Sequence, residues 1–126
     1  MENVKAIILN MFAAGTDSTF ITLDWAMTEL LMNPKAMESA QAEVRSVVGK
    51  RSFVSEIDLP QLNYIKAIIK EVFRLHPPDP LLIPRESTEE ITIEGYIMPP
   101  KTRFFINAWA IEKDPDTWEN PDVFGP

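Results

Sequence analysis

The sequence contains no cysteine, a single histidine (His76) and only four glycines. Without cysteine there is no disulfide, no thiolate zinc or iron–sulfur site and no cysteine nucleophile within these residues. One histidine excludes metal sites built on two or more imidazoles. Basic charge is also scarce: 12 Lys and Arg stand against 19 Asp and Glu, for a net charge of −7, and no basic tract occurs. Phosphate binding depends on clustered cations, so nucleic acid is not an expected partner. Long apolar runs are missing too. The most apolar stretch, Ala6 to Thr16, falls far short of the roughly 20 residues that span a bilayer, so these residues are expected to hold neither a targeting segment nor a membrane anchor.

What is present is globular material. A chain of 126 residues with 45% hydrophobic and 10% aromatic side chains is not a disordered one, and its length allows one domain at most. Nine of the eleven prolines lie from Pro77 onward. Proline interrupts helices, so residues 1–76 are predicted to be helical and residues 77–126 to be extended segments, a hairpin and turns. The fold class expected is therefore mainly α with a small β-hairpin or sheet.

The first helix is predicted from about Asn3 to Met32, where Asn33-Pro34 stops it; Val4, Ile7, Ile8, Met11, Phe12, Leu23, Ala26, Leu30 and Leu31 recur at three- and four-residue steps. Asn10, Asp17 and Asp24 form one narrow polar stripe, and a helix apolar on most other sides is usually buried. About 30 residues at roughly 1.5 Å each make a rod of about 45 Å. A compact sphere of this chain length is only about 36 Å across. Such a helix suits a larger body than 126 residues can build.

A second helix should start at Asn33-Pro34 and stop at Gly49, with Met37, Ala40, Val44, Val47 and Val48 on one face. Ser55 and Asp58 read as a capping box for a short turn ending near Pro60. A third helix runs from about Tyr64 to Leu75, before Pro77-Pro78. Beyond it, Ile91–Ile93 and Tyr96–Met98 flank a Glu94-Gly95 turn, Arg103 to Asn107 reads as a further strand, and Asp114-Pro115 and Asn120-Pro121 mark turns around Trp118.

Three constellations could carry chemistry. Ala14, Gly15 and Ser18 share one side of the first helix beside Met11 and make a notch. Glycine in mid-helix costs about 1 kcal/mol relative to alanine. A notch permits close packing against another helix, the commoner meaning of such spacing, or close approach of a ligand. Hydroxyls beside it can bond the preceding turn's carbonyls and open the helix locally. Glu71 and Arg74, three apart on the third helix, can touch. On the helical wheel they point away from Ile65, Ile68, Ile69, Val72 and Phe73, which predicts a solvated pair. In the proline-stiffened run from His76 to Glu86, Leu81, Leu82 and Ile83 would be held rigidly against a neighbour or ligand. His76, with no second ligand or nucleophile near it in sequence, reads as a helix-end histidine bonded to backbone.

Taken in order, Ala14-Gly15-Thr16-Asp17-Ser18-Thr19, Glu71-x-x-Arg74 running into Leu75-His76-Pro77-Pro78, Pro84-Arg85-Glu86, and Trp109-Ala110-Ile111 through Asp114-Pro115, Trp118, Pro121 and Phe124 resemble a cytochrome P450, the haem-thiolate monooxygenase family, of the plant microsomal type. The resemblance covers essentially all 126 residues and corresponds to an internal portion of a family member, a partial cytochrome P450 domain.

The resemblance implies that the first helix crosses the distal face of a haem. Ala14 and Gly15 would then form an oxygen notch, with Asp17, Ser18 and Thr19 as the acid and alcohols that organise proton delivery. Ser18 stands where the family usually has Thr. Glu71 and Arg74 would be a buried structural charge pair, against the wheel, and Arg85 would hold a haem propionate. Phe12, Ala13, Leu81, Leu82 and Ile83 would contact substrate. The implied parent inserts one oxygen atom from dioxygen into a small lipophilic substrate, takes electrons from an NADPH-dependent reductase, and sits on the cytosolic face of the endoplasmic reticulum through an N-terminal anchor outside this segment.

No metal ligand is assigned here, because the proximal cysteine of the family is absent from these residues, as is the Glu-Arg-Phe that would follow Pro126. The chain alone is therefore expected to be inactive and not to hold haem stably. The alternative reading is a non-catalytic remnant or helical interaction module that shows apolar helix faces to a partner.

Overall fold

The computed structural model describes residues 2–126; residue 1, which the domain expectation includes, lies outside the described residues. Helix α1 spans Glu2–Met32, α2 Pro34–Val48 and α3 Asn63–Leu75, with a 3-10 helix at Glu56–Gln61 between the last two. The second half holds β1 (Arg85–Glu86), β2 (Ile91–Ile93), β3 (Tyr96–Met98), β4 (Arg103–Phe104) and a short helix α4 (Ala108–Glu112). The predicted mainly helical fold with a small β part is present.

One cluster makes the core. Leu30 near the end of α1, Ala36 and Ala40 of α2, and Ile68 and Val72 of α3 are buried together, with Ala26, Met37, Tyr64, Ile65 and Phe124 packed on them. The small side chains at 36 and 40 let α2 approach the other two helices closely. Only the last third of α1 takes part. From Asn3 to Phe20 every residue of α1 is exposed, Met11 and Phe12 each by 70%. The expectation of a buried first helix is thus not met among the described residues, because the elements packed on α1, α2 and α3, meet it near Leu30. The accessible surface, 10,035 Å², exceeds the ~6,800 Å² of a compact monomer of this mass by roughly 3,200 Å².

The same helix corrects the reading of membrane segments. Asn3–Met32 is long and apolar enough, by length and composition, to cross a membrane. The sequence count stopped at Asp17, whereas the helix carries its apolar sides past Asp17 and Asp24. A core helix inside a larger protein meets the same criterion.

Local devices mostly follow the sequence, with informative exceptions. Gly49 takes φ +63° and its N–H closes on Arg45 O, ending α2. Asn33 occupies the N-cap position of α2, but its side chain makes no cap there; Nδ2 donates backward to Glu29 O at 2.9 Å and Glu29 Oε2 at 3.2 Å. The capping box is complete: Ser55 N and Oγ donate to Asp58 Oδ2 at 2.8 and 2.9 Å. Arg51 Nη2 adds a 2.7 Å bond to Oδ1.

The hydrogen bond from Arg51, then those from Ser55, hold the Asp58 carboxyl well below the usual carboxylate range against the opposing effect of burial. A depressed folded pKa means that this stabilisation is complete above about pH 5 and drains away as the pH falls below about 4. Asp58→Asn is therefore expected to lower the urea midpoint at neutral pH and to flatten its fall between pH 5 and 3; a variant as acid-sensitive as the parent would remove Asp58 from the acid transition.

The β elements form two separate two-stranded antiparallel sheets. In the predicted hairpin Ile91 pairs with Met98 and Ile93 with Tyr96, and positive φ at Glu94 and Gly95 supplies the tight turn. The strand expected over residues 103–107 is only Arg103–Phe104, and it pairs with β1 instead of the hairpin. Asn107 ends it by accepting Ala110 N–H, which starts α4 where the sequence predicted no helix. Buried Ser87 joins the two sheets: Oγ donates to Pro99 O at 2.8 Å and accepts Thr102 N–H at 3.0 Å.

Candidate functional site

Along α1 the hydroxyls bond as their spacing predicts. Ser18 Oγ donates to Ala14 O at 2.6 Å, Thr19 Oγ1 to Gly15 O at 2.7 Å and Thr22 Oγ1 to Ser18 O at 2.7 Å. The expected local opening is absent; α1 is helical without a break, because each hydroxyl shares a carbonyl with its ladder bond instead of replacing it. A Cβ built on Gly15 would meet nothing within 4 Å. Among the described residues no other element fills the notch, so close helix–helix packing does not explain it here. Ser18 lies 12 residues before Leu30, about 18 Å along the helix from the core.

The second constellation departs most from its wheel. Arg74 is 6% exposed and the Glu71 side chain 13%. Two parallel bonds join them, Nε to Glu71 Oε2 at 2.8 Å and Nη2 to Oε1 at 2.7 Å. The remaining donors reach the carbonyls of Glu112 (3.1 Å), Pro121 (2.6 Å) and Val123 (3.1 Å). Gly125 N–H donates to Glu71 Oε1 at 3.0 Å, and the Trp118 ring lies 5.0 Å from the guanidinium. Residues 112–125 therefore fold over the polar side of α3, which a wheel drawn on α3 alone cannot show. Conversely Ile69 and Phe73, placed on the apolar face, are 39% and 47% exposed.

Burial opposes ionisation of Glu71, but the Arg74 and Gly125 hydrogen bonds and the Arg74 charge outweigh it, so its carboxyl titrates below the usual range. The bond to Glu71 likewise raises the Arg74 guanidinium further. The pair is ionised at any physiological pH.

The third constellation is a turn, not a stiff extended arm. Leu82 N–H returns to Asp79 O, Leu82 takes φ +52°, and Leu81, Leu82 and Ile83 are exposed by 47%, 38% and 74%. Ile106 and Trp109 N–H groups fix the turn by donating to Leu81 O and Pro80 O. Arg85 is exposed on β1, and among the described residues neither Arg85 nor Asp17 makes an ion pair. Phe12 and Ala13 are exposed immediately before the notch. The structure unites Ala14, Gly15, Ser18 and Thr19 on α1, and Glu71 with Arg74 on α3, without a hydrogen bond between the two groups.

His76 is a correction. Its side chain does not bond to backbone: Nε2 donates to Glu29 Oε1 at 2.7 Å, and the ring stacks on Trp25 at 3.7 Å and 3°. Glu29, Trp25 and also Glu43, which accepts N–H groups of α3, were not singled out by sequence. Partners 47 and 21 residues away leave no local pattern.

A plant relative, Cytochrome P450 71AP13 of Prunus mume, is 69% identical over 126 residues, which is 100% of this chain and 24% of the relative. Tryptamine 5-hydroxylase of Oryza sativa subsp. japonica is 53% identical over 125 residues, 99% of this chain and 24% of that protein. A zebrafish cytochrome P450 solved with progesterone superposes with a TM-score of 0.87 at 35% identity, over 92% of this chain and 28% of that one. The chain thus spans about a quarter of the length of the curated relatives it matches. Because the family model described as Cytochrome P450 matches residues 1–126, throughout the notch, the charge pair and the segment folded over it, the chain belongs to the cytochrome P450 family.

Proposed function

We propose that these residues serve a haem-dependent monooxygenase that inserts one atom of dioxygen into a small lipophilic substrate. The observation that carries this reading is the pair of hydroxyls bonded to the Ala14 and Gly15 carbonyls beside a glycine with open space over it. The donor set fits one side of a haem. The notch has open space over Gly15, and Arg85, which makes no ion pair among the described residues, offers an exposed guanidinium suited to a propionate carboxylate. A thiolate ligand for the iron would have to come from outside these 126 residues, which hold no cysteine. When bound, haem supplies the activation of dioxygen.

The chain's own residues would do the rest. Asp17 and Ser18 hold and pass protons at the notch, with Thr19 fixing the next carbonyl. Phe12, Ala13, Leu81, Leu82 and Ile83 present apolar surface that excludes water and receives substrate. Glu71 and Arg74 hold residues 112–125 in place. The complete protein would draw electrons from an NADPH-dependent reductase at the cytosolic face of the endoplasmic reticulum.

The test is a carbon monoxide difference spectrum after adding haem and reductant. The 126-residue chain is expected to give no thiolate-type band, and a protein of the relatives' full length that contains these residues, continued on both sides and bearing the cysteine segment, is expected to give one. Absence of the band from the continued protein would overturn the reading.

A second reading is favoured by one observation, the roughly 3,200 Å² of surface beyond that of a compact monomer. Covered by a partner that buries an equal area, that excess would make an interface of roughly 6,400 Å² in total, at the upper end of the obligate class or above it. A chain of these residues alone would then act as a helical interaction module, with α1 as its contact surface. Analytical ultracentrifugation decides for the isolated chain: a monomer at micromolar concentration contradicts this second reading.

A further inference from the structure

The helix that carries Glu71 and Arg74 is held at both ends by carboxylates from other helices. At its start, Leu62 provides no side-chain cap. Glu43 of α2 substitutes for it, accepting Tyr64 N–H at Oε1 (2.8 Å) and Ile65 N–H at Oε2 (3.0 Å). At its end, Glu29 of α1 accepts from the His76 ring, which Trp25 backs by stacking. Asn33 Nδ2 in turn holds the other oxygen of Glu29.

We infer that Glu43 and Glu29 are positioning residues, which set where α3 lies along its axis and so where Glu71 and Arg74 meet residues 112–125. Each carboxylate joins α3 to a different neighbour, so sliding or tilting the helix breaks one clamp or the other. The required accuracy is high. Arg74 makes five hydrogen bonds to four residues, and a shift of about one residue, roughly 1.5 Å, would misalign them all. The N-terminal dipole of α3 favours the Glu43 charge, and the Tyr64 N–H bond lowers its carboxyl from the ordinary range, with Ile65 and the Lys66 charge acting in the same direction against burial. This role concerns the placement of the charge pair and stands independently of haem chemistry.

Amide hydrogen exchange of the 15N-labelled chain tests it, with Glu43→Gln as the first variant. The Gly125 N–H is the reporter, because its bond to Glu71 lies about two turns along α3 from the N–H groups that Glu43 holds. A purely local cap would speed exchange at Tyr64 and Ile65 alone. The expected result is that Gly125 exchange also accelerates, by about fivefold or more, the change that a lost cap produces. Acceleration at Tyr64 and Ile65 with Gly125 unchanged would overturn the inference. If Glu43→Gln does not fold, Glu29→Gln is judged by the same amide, with the same two outcomes.

Discussion

Arg74→Ala is expected to be the most damaging single substitution in the chain. It leaves Glu71 buried as an anion and strips donors from the carbonyls of Glu112, Pro121 and Val123. Breaking one side of a buried ion pair costs about 3 to 5 kcal/mol. Glu71 keeps the Gly125 N–H, which places the expected loss toward the lower end of that range. Even so, it is a large share of the 5 to 15 kcal/mol that holds a typical domain together.

Lysine should not rescue the site, since one ammonium cannot reproduce the two parallel bonds to Glu71 while also serving three carbonyls. Urea unfolding of the chain measures the first loss. In a complete, cysteine-bearing protein, Arg74→Ala is expected to abolish haem incorporation, because residues 112–125 lose their anchor. Normal haem content in that variant would refute the structural role of the pair.

The contrast between local and distant devices explains how far the sequence could be read. The capping box at Ser55 and Asp58, the Gly49 stop and the Glu94-Gly95 turn each depend on residues within four positions, and all three are found where their patterns placed them. The helix α4 was missed although its signal was also local: Asn107 caps Ala110, a three-residue step of the usual N-cap kind.

The errors of another kind are long-range. Whether Glu71 and Arg74 face water depends on residues 38 to 54 positions away. Periodicity on one helix carries no information about what lies over its polar side. Family resemblance did carry it, because matching motifs transfer tertiary context along with residue identity. The same reasoning covers His76, whose partner Glu29 is 47 positions distant. For α1 the wheel described the side chains correctly, yet burial is a property of the surroundings, and this chain surrounds only the Leu30 end.

Ser18→Ala is expected to have the second largest effect, and on chemistry rather than folding. Ser18 is exposed, and its Oγ proton is given to Ala14 O, so removing it leaves no buried group unsatisfied. The fold should survive with haem content unchanged in the complete protein. What the variant loses is a hydroxyl beside the notch whose proton can be relayed when the side chain rotates. Positioned proton transfer contributes about 10²- to 10⁴-fold.

With Asp17 and Thr19 still present, a fall of at least about tenfold in product formed per NADPH consumed is expected, with the electrons appearing as hydrogen peroxide. Ser18→Thr supplies the opposite control. The added methyl narrows the χ1 choices while keeping a rotamer that bonds the i−4 carbonyl, so it should match or exceed the parent in product per NADPH. Both variants are assayed by counting NADPH, product and peroxide in the same reaction. If Ser18→Ala stays within twofold of the parent, the proton path does not run through this hydroxyl, and the notch serves only to admit the ligand.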